Sequence, residues 1–252
     1  MKIIIITTGS KIIKETGFGS VSACLAVKSA LKKSYEDVTV NRCTSLKKLN
    51  KVIEQSPDLV VLASKYVQLK NGEKIWLSKF FEDANITYTG SKLQSLEYAT
   101  NKIKAKELIL QNNIKTAEYT IVTPENYLLE SNITITYPLF VKPLDAANCN
   151  GIGDDSIVYN HKEFVVKAEN LFEKYGGNLI AETYISGREF TVSVAHDFEK
   201  NEYNASPIEI IPPFNDDNIR ILGEDVKKEN SEELKVVADP ILRKRLKELA
   251  IT

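Results

Sequence analysis

The first hundred residues alternate short β-branched runs with longer stretches in which apolar residues recur at helical spacing. The runs KIIIITT, VTVNRC and LVVLAS predict strands, and Ser20–Lys33, Ser45–Gln55 and Glu73–Phe81 predict helices. This alternation predicts a parallel sheet covered by helices, with ligands at the carboxyl ends of the strands. The TGFGS segment before the first helix could receive an anion, or could be a glycine turn in which Ser20 caps the helix.

Composition narrows the class of protein. The chain has 252 residues, of which 43% are hydrophobic, so it is long enough for more than one compact unit. Its net charge of -1 gives no support for nucleic-acid binding. Three widely spaced cysteines predict a reducing, cytoplasmic compartment. The apolar start MKIIIITTG is too short to span a membrane and lacks the features of a signal peptide, so no membrane association is expected.

The pattern changes near Asn101. An amphipathic helix begins there, ends at Asn112-Asn113 and is followed by a strand. The elements predicted next are a strand at Pro138–Lys142, a strand at Ser156–Tyr159, a helix at Lys162–Lys174 and a strand in NLIAETYI. Two antiparallel strands in SGREFTVSVAHD and ASPIEIIPP, then a helix at Ile241–Leu249, complete the chain. We therefore predict three domains, at 1–100, 101–185 and 186–252.

Lys142 is the most informative single residue, because an apolar strand places its ammonium at the edge of a core and Pro143 ends the strand there. Such a cation either reaches water or binds a partner, for which a phosphate would serve. The following loop, Leu144–Gly153, is rich in small residues and contains two glycines. Its backbone N–H groups could approach a ligand, and the loop could move as a lid. Without Lys142 beside it, the same stretch would be typical of an ordinary hairpin connection.

Two carboxylates follow in LIAETYISGREF, where Glu182 ends an apolar run and Glu189 comes just after a glycine turn. Carboxylates accept hydrogen bonds from amino and ribose hydroxyl groups and repel phosphates, so the pair suits the nucleoside end of a nucleotide. Glu189 could instead form an ion pair with Arg188. His161 and His196 have no nearby acid pattern, so a nucleophilic triad is not indicated.

Together these residues resemble the ATP-grasp superfamily, and within it the D-alanine–D-alanine ligase-like carboxylate–amine ligases. TNKIKAKELILQNNIKTAEY is similar to the family's lysine-bearing helix, YPLFVKP to its phosphate-lysine strand, and LIAETYISGREFTV to its adenine and ribose segment. The resemblance implies an α/β chain with a Rossmann-like domain before an ATP-grasp fold of two α+β lobes. It also implies ATP and Mg²⁺ as cofactors, and ADP-forming ligation of an amino acid or small carboxylate to an amine through an acyl phosphate.

The resemblance also assigns residues. Lys102 and Lys142 would contact the phosphates or the adenine edge, and the loop would close over the triphosphate. Glu182 and the backbone around Tyr184 and Ile185 would hold adenine, and Glu189 would hold ribose. RILGEDVKKEN is similar to a segment that supplies a further phosphate-binding lysine, here Lys227, so Lys142 and Lys227 are the expected catalytic residues. The loop residues implied in nucleotide binding are Asn148, Cys149, Asn150, Gly151 and Ile152.

In the family, a strand with an aspartate and a Glu-x-Asn motif follow the last helix and bind magnesium, and the sequence shows neither. We therefore expect an incomplete carboxyl-terminal lobe with no protein ligands for Mg²⁺. Two alternatives to an active ligase follow: a nucleotide-binding module without catalysis, or a fragment of such a ligase. An apolar face left uncovered there would favour association with another chain, which leaves a homodimer open.

Overall fold

The computed structural model describes residues 1–8, 20–145, 149–197 and 199–251. The chain has the predicted α/β class and forms two compact units, Met1–Thr100 and Asn101–Thr252. Of the TGFGS segment, only Ser20 is among the described residues, where its side chain accepts a hydrogen bond from the Ala23 amide and caps the first helix. Within the described ranges, no helix is long and apolar enough to cross a membrane.

The first unit is built on a three-stranded parallel sheet, as predicted. Its strands, in the spatial order β2-β1-β3, are β1 (Ile3–Thr7), β2 (Val38–Arg42) and β3 (Leu59–Leu62). The isoleucines of β1 are fully buried and alternate between the two faces of the sheet. Ile4 and Ile6 pack in a cluster with Phe81, whereas Ile3 and Ile5 pack with Cys24 on the other face. Both faces of β1 are therefore covered, as is typical of a parallel sheet.

The other elements of this unit are helices α1 (Val21–Leu31) and α2 (Leu46–Glu54), strands β4 (Tyr66–Gln68) and β5 (Lys74–Trp76), and helices α3 (Leu77–Asp83) and α4 (Leu93–Thr100). The prediction of one helix over Glu73–Phe81 is wrong at its start, because β5 pairs antiparallel with β4 before α3 begins. Tyr66 and Trp76 lie opposite each other in this hairpin, with their rings edge to face at 5.4 Å. Pairing between the strands outweighs the helical spacing of the apolar residues.

The second unit begins with a four-stranded antiparallel sheet, whose spatial order is β6-β9-β7-β8. Its elements are α5 (Lys102–Gln111), β6 (Tyr119–Val122), β7 (Leu139–Pro143), β8 (Ile157–Val158), α6 (His161–Tyr175) and β9 (Leu179–Thr183). Leu139 and Val141 of β7 join Phe164 of α6 in one buried cluster. Residues at alternate positions of β7 face the other way, so Phe140 and Lys142 share the sheet face opposite this core.

A second antiparallel sheet follows, in the order β10-β11-β12. Its strands are β10 (Glu189–Asp197), β11 (Glu202–Ile211) and β12 (Glu233–Val236), and the helices of this region are α7 (Glu224–Glu229) and α8 (Pro240–Ile251). The long β10–β11 pair agrees with the predicted antiparallel strands. Helix α8 packs against both of them.

The buried face of α6 provides a test of the second core. Phe164 is 0% exposed inside the cluster, whereas Val166 on the same helix is 53% exposed. We expect Phe164→Ala to lower the free energy of unfolding by about 3–5 kcal/mol, because it removes a fully buried ring and leaves a cavity. Val166→Ala is the matched control, with an expected change of less than about 0.5 kcal/mol. Urea unfolding at pH 7 measures both, and equal losses in the two variants would contradict the assigned face.

Candidate active site

A cavity of about 390 Å³ lies in the second unit, between the ends of β7 and β9, the loop after β7 and residues 220–222. Seven of the residues predicted for the site line it: Lys142, Cys149, Ile152, Glu182, Tyr184, Ile185 and Glu189. A larger cavity of about 830 Å³ beside α6 is lined, in the described part of the chain, by none of the predicted residues. The smaller cavity is therefore the candidate site.

A buried ion network forms the floor of this site. Glu182 lies opposite Phe140 in the strand register, so its side chain shares a sheet face with Lys142, and the two form an ion pair. The other Glu182 oxygen lies 2.6 Å from Nζ of Lys106, a residue of helix α5. The partner of Lys142 in the structure is thus a carboxylate of the neighbouring strand, which the local sequence around Lys142 did not reveal.

Lys106 was missed in the sequence, although it lies one helical turn after Lys102 and so on the same face of the helix. It is buried, and its ammonium also donates to Oγ1 of Thr116 at 2.9 Å and to the carbonyl of Ala117 at 3.0 Å. Three partners satisfy the three donors of a lysine ammonium. The i, i+4 spacing from Lys102 is the signal that could have identified it.

The network controls the charge of Glu182. Burial alone would raise the pKa of this carboxyl, but Lys142 and Lys106 outweigh burial and hold the pKa below its ordinary value. Glu182 is therefore ionised at neutral pH. Two ammonium groups and one carboxylate leave the network with one net positive charge.

Lys102 binds the protein backbone at the start of the loop. Its ammonium donates to the carbonyls of Pro143 at 3.1 Å and Leu144 at 2.8 Å. It thus fixes the peptide groups that follow Lys142. The predicted contact of Lys102 with a nucleotide stays a prediction.

The loop itself is described on both sides of a gap at 146–148, so the predicted site residue Asn148 lies outside the described residues. Cys149 and Ile152 face the cavity, and Asn150 and Gly151 form the turn between them. Gly151 has a φ of +79°, and a Cβ there would lie 2.9 Å from the Pro143 ring. Close packing thus requires a glycine at this position.

The amides in this part of the loop have partners within the protein. The amide of Gly151 donates to Glu224, that of Ile152 to the Cys149 carbonyl, and that of Gly153 to the Ser156 hydroxyl. The sequence left open that backbone amides of this loop approach a ligand, and in this structure these three amides donate to protein acceptors. This part of the loop is held by the fold.

Part of the cavity wall is aromatic and apolar. Tyr184 stacks with Phe140 at a centroid distance of 6.5 Å, and its amide donates to the Pro138 carbonyl. Ile185 is 70% exposed, and Ile221 lies across the cavity. A flat ring could pack between these side chains, beside Glu182.

Glu189 and Lys227 lie close enough to influence each other. Partial burial raises the pKa of the Glu189 carboxyl, and Lys227 and Lys142 lower it. Burial also raises the pKa of the Cys149 thiol, and Lys227 is the strongest of the charges that oppose this. Lys227 is on α7 and lies 3.6 Å from a carboxylate oxygen of Glu232. Lys227 thus interacts electrostatically with Cys149 of the loop and with Glu189, although it is not in the cavity wall.

The donor set of the site suits a nucleotide. Glu182, Glu189 and the ring of Phe140 line the same cavity as Lys142, whose Nζ lies 5.5 Å from the centroid of that ring. The described residues do not offer a comparable set of ligands for a protein-bound metal. Among the described residues, no group of three or more His, Cys, Asp or Glu side chains could hold a metal ion.

The lowered pKa of Glu182 predicts a pH dependence of stability. A carboxyl with a folded pKa below its unfolded value of about 4.3 stabilises the folded state above that pH. Its contribution is lost as the pH falls through the lower folded pKa. We expect Glu182→Gln to be less stable than the parent by about 3–5 kcal/mol at pH 7, because two ammonium groups lose their carboxylate.

The difference between the parent and Glu182→Gln should shrink as the pH falls below about 4.3, because the carboxyl of the unfolded parent then takes up a proton while the folded carboxyl, with its lower pKa, stays ionised. Urea unfolding from pH 7 to pH 3 measures it. Glu118→Gln, which changes an exposed carboxylate beside the same sheet, should stay within about 0.5 kcal/mol of the parent throughout. A difference for Glu182→Gln that did not change with pH would rule out the ionised network.

Comparison with known proteins identifies the family of the chain. The family model described as "D-ala D-ala ligase C-terminus" matches residues 108–244. The D-alanine–D-alanine ligase of Wolbachia sp. subsp. Drosophila simulans is 30% identical over 180 residues, which cover 68% of this chain and 51% of that protein. D-alanine–D-alanine ligase A of Bacillus cereus is 27% identical over 69% of this chain and 59% of its own length. The chain thus spans about half the length of the curated relatives it matches.

Among solved structures, D-alanine–D-alanine ligase from Bacillus anthracis complexed with ATP superimposes with a TM-score of 0.70 at 22% identity, over 100% of this chain and 76% of that one. The VanG D-Ala:D-Ser ligase from Enterococcus faecalis gives a TM-score of 0.63 at 21% identity, over 99% of this chain and 81% of that one. These likenesses establish the ATP-grasp fold. Because the family model covers more than half of the chain, the protein belongs to the D-Ala–D-Ala ligase C-terminal domain family.

Proposed function

We propose that the chain is an ATP-dependent, ADP-forming carboxylate–amine ligase that joins an amino acid or small carboxylate to an amine through an acyl phosphate. The observation that carries the proposal is the ammonium of Lys142, which lines the 390 Å³ cavity and shares its carboxylate partner, Glu182, with the buried Lys106. An excess ammonium in a partly buried site favours an anionic ligand. The curated relatives, which are named D-alanine–D-alanine ligases, support D-alanine as the first substrate to test.

Each end of the cavity would have its own task. The aromatic and apolar side chains of Tyr184, Phe140 and Ile185 would enclose adenine, and Glu182 would accept a hydrogen bond from its amino group. Glu189 would accept from the ribose hydroxyls. Bound ATP supplies the phosphoryl group that activates the carboxylate substrate.

The lysines would stabilise the negative charge of the phosphates. Lys142 can turn between Glu182 and a phosphate oxygen, since its side chain is 21% exposed at the cavity wall. Lys227, on α7, would hold a further phosphate oxygen. Stabilising negative charge in this way is the main task of a site that transfers a phosphoryl group. Mg²⁺ would enter with the nucleotide, and because the described residues group no three metal ligands, no step is assigned to a protein-held metal.

The proposal extends to location and assembly. We propose a cytoplasmic protein, as its cysteine pattern predicts, with Cys24, Cys43 and Cys149 present as free thiols. A homodimer stays a prediction. Native mass spectrometry of the purified chain would measure the assembly directly.

The proposed reaction is tested by ADP formation. The purified chain with Mg-ATP should release ADP only when an accepted amino acid is present, in a panel that includes D-alanine, L-alanine, D-serine and glycine. Coupled pyruvate kinase and lactate dehydrogenase would report ADP, and mass spectrometry would identify the ligated product. ATP binding without ADP release for any member would contradict ligation and favour a nucleotide-binding module.

The phosphate role of Lys142 makes a separate prediction. Lys142→Met keeps the apolar stem but removes the charge, so we expect it to weaken ATP binding by about 10- to 100-fold, as expected for a lost charge-assisted hydrogen bond of about 1.5–3 kcal/mol. Lys244→Met, at a site on α8 that is 77% exposed, should bind ATP like the parent. Isothermal titration calorimetry measures all three proteins. Equal ATP affinity in Lys142→Met and the parent would remove Lys142 from the site.

A further inference from the structure

The backbone N–H and C=O groups of Gly151 are each bound by a charged side chain. Its amide donates to Oε2 of Glu224 at 3.1 Å, and its carbonyl accepts from Nζ of Lys167 at 3.2 Å. The backbone amide of Glu224 also donates to the Ile152 carbonyl at 2.8 Å. The two contacts with Glu224 hold two successive loop residues against the start of α7, and Lys167 ties Gly151 to α6.

Glu224 connects three separate parts of the second unit. Besides the loop amide, its carboxylate accepts from the Tyr175 hydroxyl at 2.9 Å, at the end of α6, and lies 2.9 Å from Nζ of Lys228 on α7. The Lys228 ammonium and the Gly151 amide, as the two largest contributions, lower the pKa of Glu224 to about 2. The carboxylate is therefore charged at neutral pH, and its bond to the loop amide is charge-assisted.

The position of this contact links two predicted phosphate-binding parts. On one side, Gly151 lies between Cys149 and Ile152, both of which face the cavity. On the other, Glu224 and Lys227 are three residues apart on α7, so they lie on the same side of that helix. A side chain that fixes Gly151 to α7 thereby fixes the loop relative to Lys227.

We propose that Glu224 is a positioning residue that aligns the loop with Lys227 for the triphosphate end of the nucleotide. This rests on the proposed function, since it assumes that ATP occupies the cavity. Glu224 does not line the cavity and acts only through Gly151 and α7. The nucleoside end depends on Glu182, Tyr184 and Glu189, which Glu224 does not contact among the described residues.

Comparison of ATP with adenosine separates positioning from general damage. For Glu224→Ala we expect about tenfold weaker ATP binding, since the loss of a charge-assisted hydrogen bond misplaces the loop and Lys227. Adenosine affinity should stay within twofold of the parent, as measured by competition calorimetry. Glu224→Gln, whose amide oxygen can still accept from Gly151, should recover most of the ATP affinity. Glu229→Ala, at an exposed carboxylate on the same helix, is the matched control and should bind both ligands like the parent.

The contact itself is tested without any nucleotide. In the ligand-free protein, the Gly151 amide should exchange with deuterium at least tenfold faster in Glu224→Ala than in the parent, measured by NMR. Glu224→Asp, which withdraws the carboxylate by one methylene, provides the same comparisons if the alanine variant does not fold. Unchanged exchange in the variant, or equal weakening of ATP and adenosine, would overturn the positioning role.

The outcomes also separate this inference from the proposed function. If the parent binds no ATP, the proposed function fails, and the role of Glu224 toward the triphosphate fails with it. If the parent binds ATP and forms ADP but Glu224→Ala binds ATP equally well, only the positioning role fails. Weaker ATP binding with unchanged adenosine binding in Glu224→Ala, together with recovery of ATP affinity in Glu224→Gln, supports the proposed function and the positioning role.

Discussion

The buried ion network of Lys106, Glu182 and Lys142 is the interaction on which the site depends. Charges inside a protein are costly unless they are paired and hydrogen-bonded, and here one carboxylate serves two ammonium groups. The pairing joins helix α5 to strands β7 and β9, so one contact connects three elements of the second unit. It also leaves a net positive charge at the cavity wall. Under the proposed function, Lys142 has two tasks, since the ammonium that pairs with Glu182 in the fold would also bind the phosphate.

The sequence predicted the members of this network better than their pairing. Lys142 and Glu182 were each recognised because an apolar strand ends in a charge, which is a local pattern. That they meet depends on the register of β7 against β9, forty positions apart in the chain, and register is a property of the folded sheet. Lys106 was not recognised, because a lysine within an amphipathic helix is usually a solvated residue. Its burial follows only from the packing of α5 on the sheet.

Gly151 and β5 show two other limits of sequence reasoning. The glycines of the loop were interpreted as room for a ligand, but Gly151 is required by contact with Pro143 and its amide is bound to Glu224. A glycine in the sequence indicates that another group approaches the backbone closely, but it does not indicate whether that group is a ligand or part of the protein. The helical spacing before Leu77 was likewise genuine, but β4 offered a strand partner and the Tyr66–Trp76 contact. By contrast, the parallel sheet of the first unit was predicted well, because short β-branched runs alternate with helical patterns there, and the four isoleucines of β1 are buried on both faces.

The loop after β7 is bound to the rest of the second unit at two places. Lys102 binds the carbonyls of Pro143 and Leu144 at its start, and Lys167 and Glu224 bind the peptide of Gly151 near its end. Both attachments use charged side chains on backbone groups, which fixes the position of the chain without depending on the identity of the loop side chains. The described loop residues at the cavity wall, Cys149 and Ile152, therefore flank a backbone position that the protein itself holds, whatever occupies the cavity.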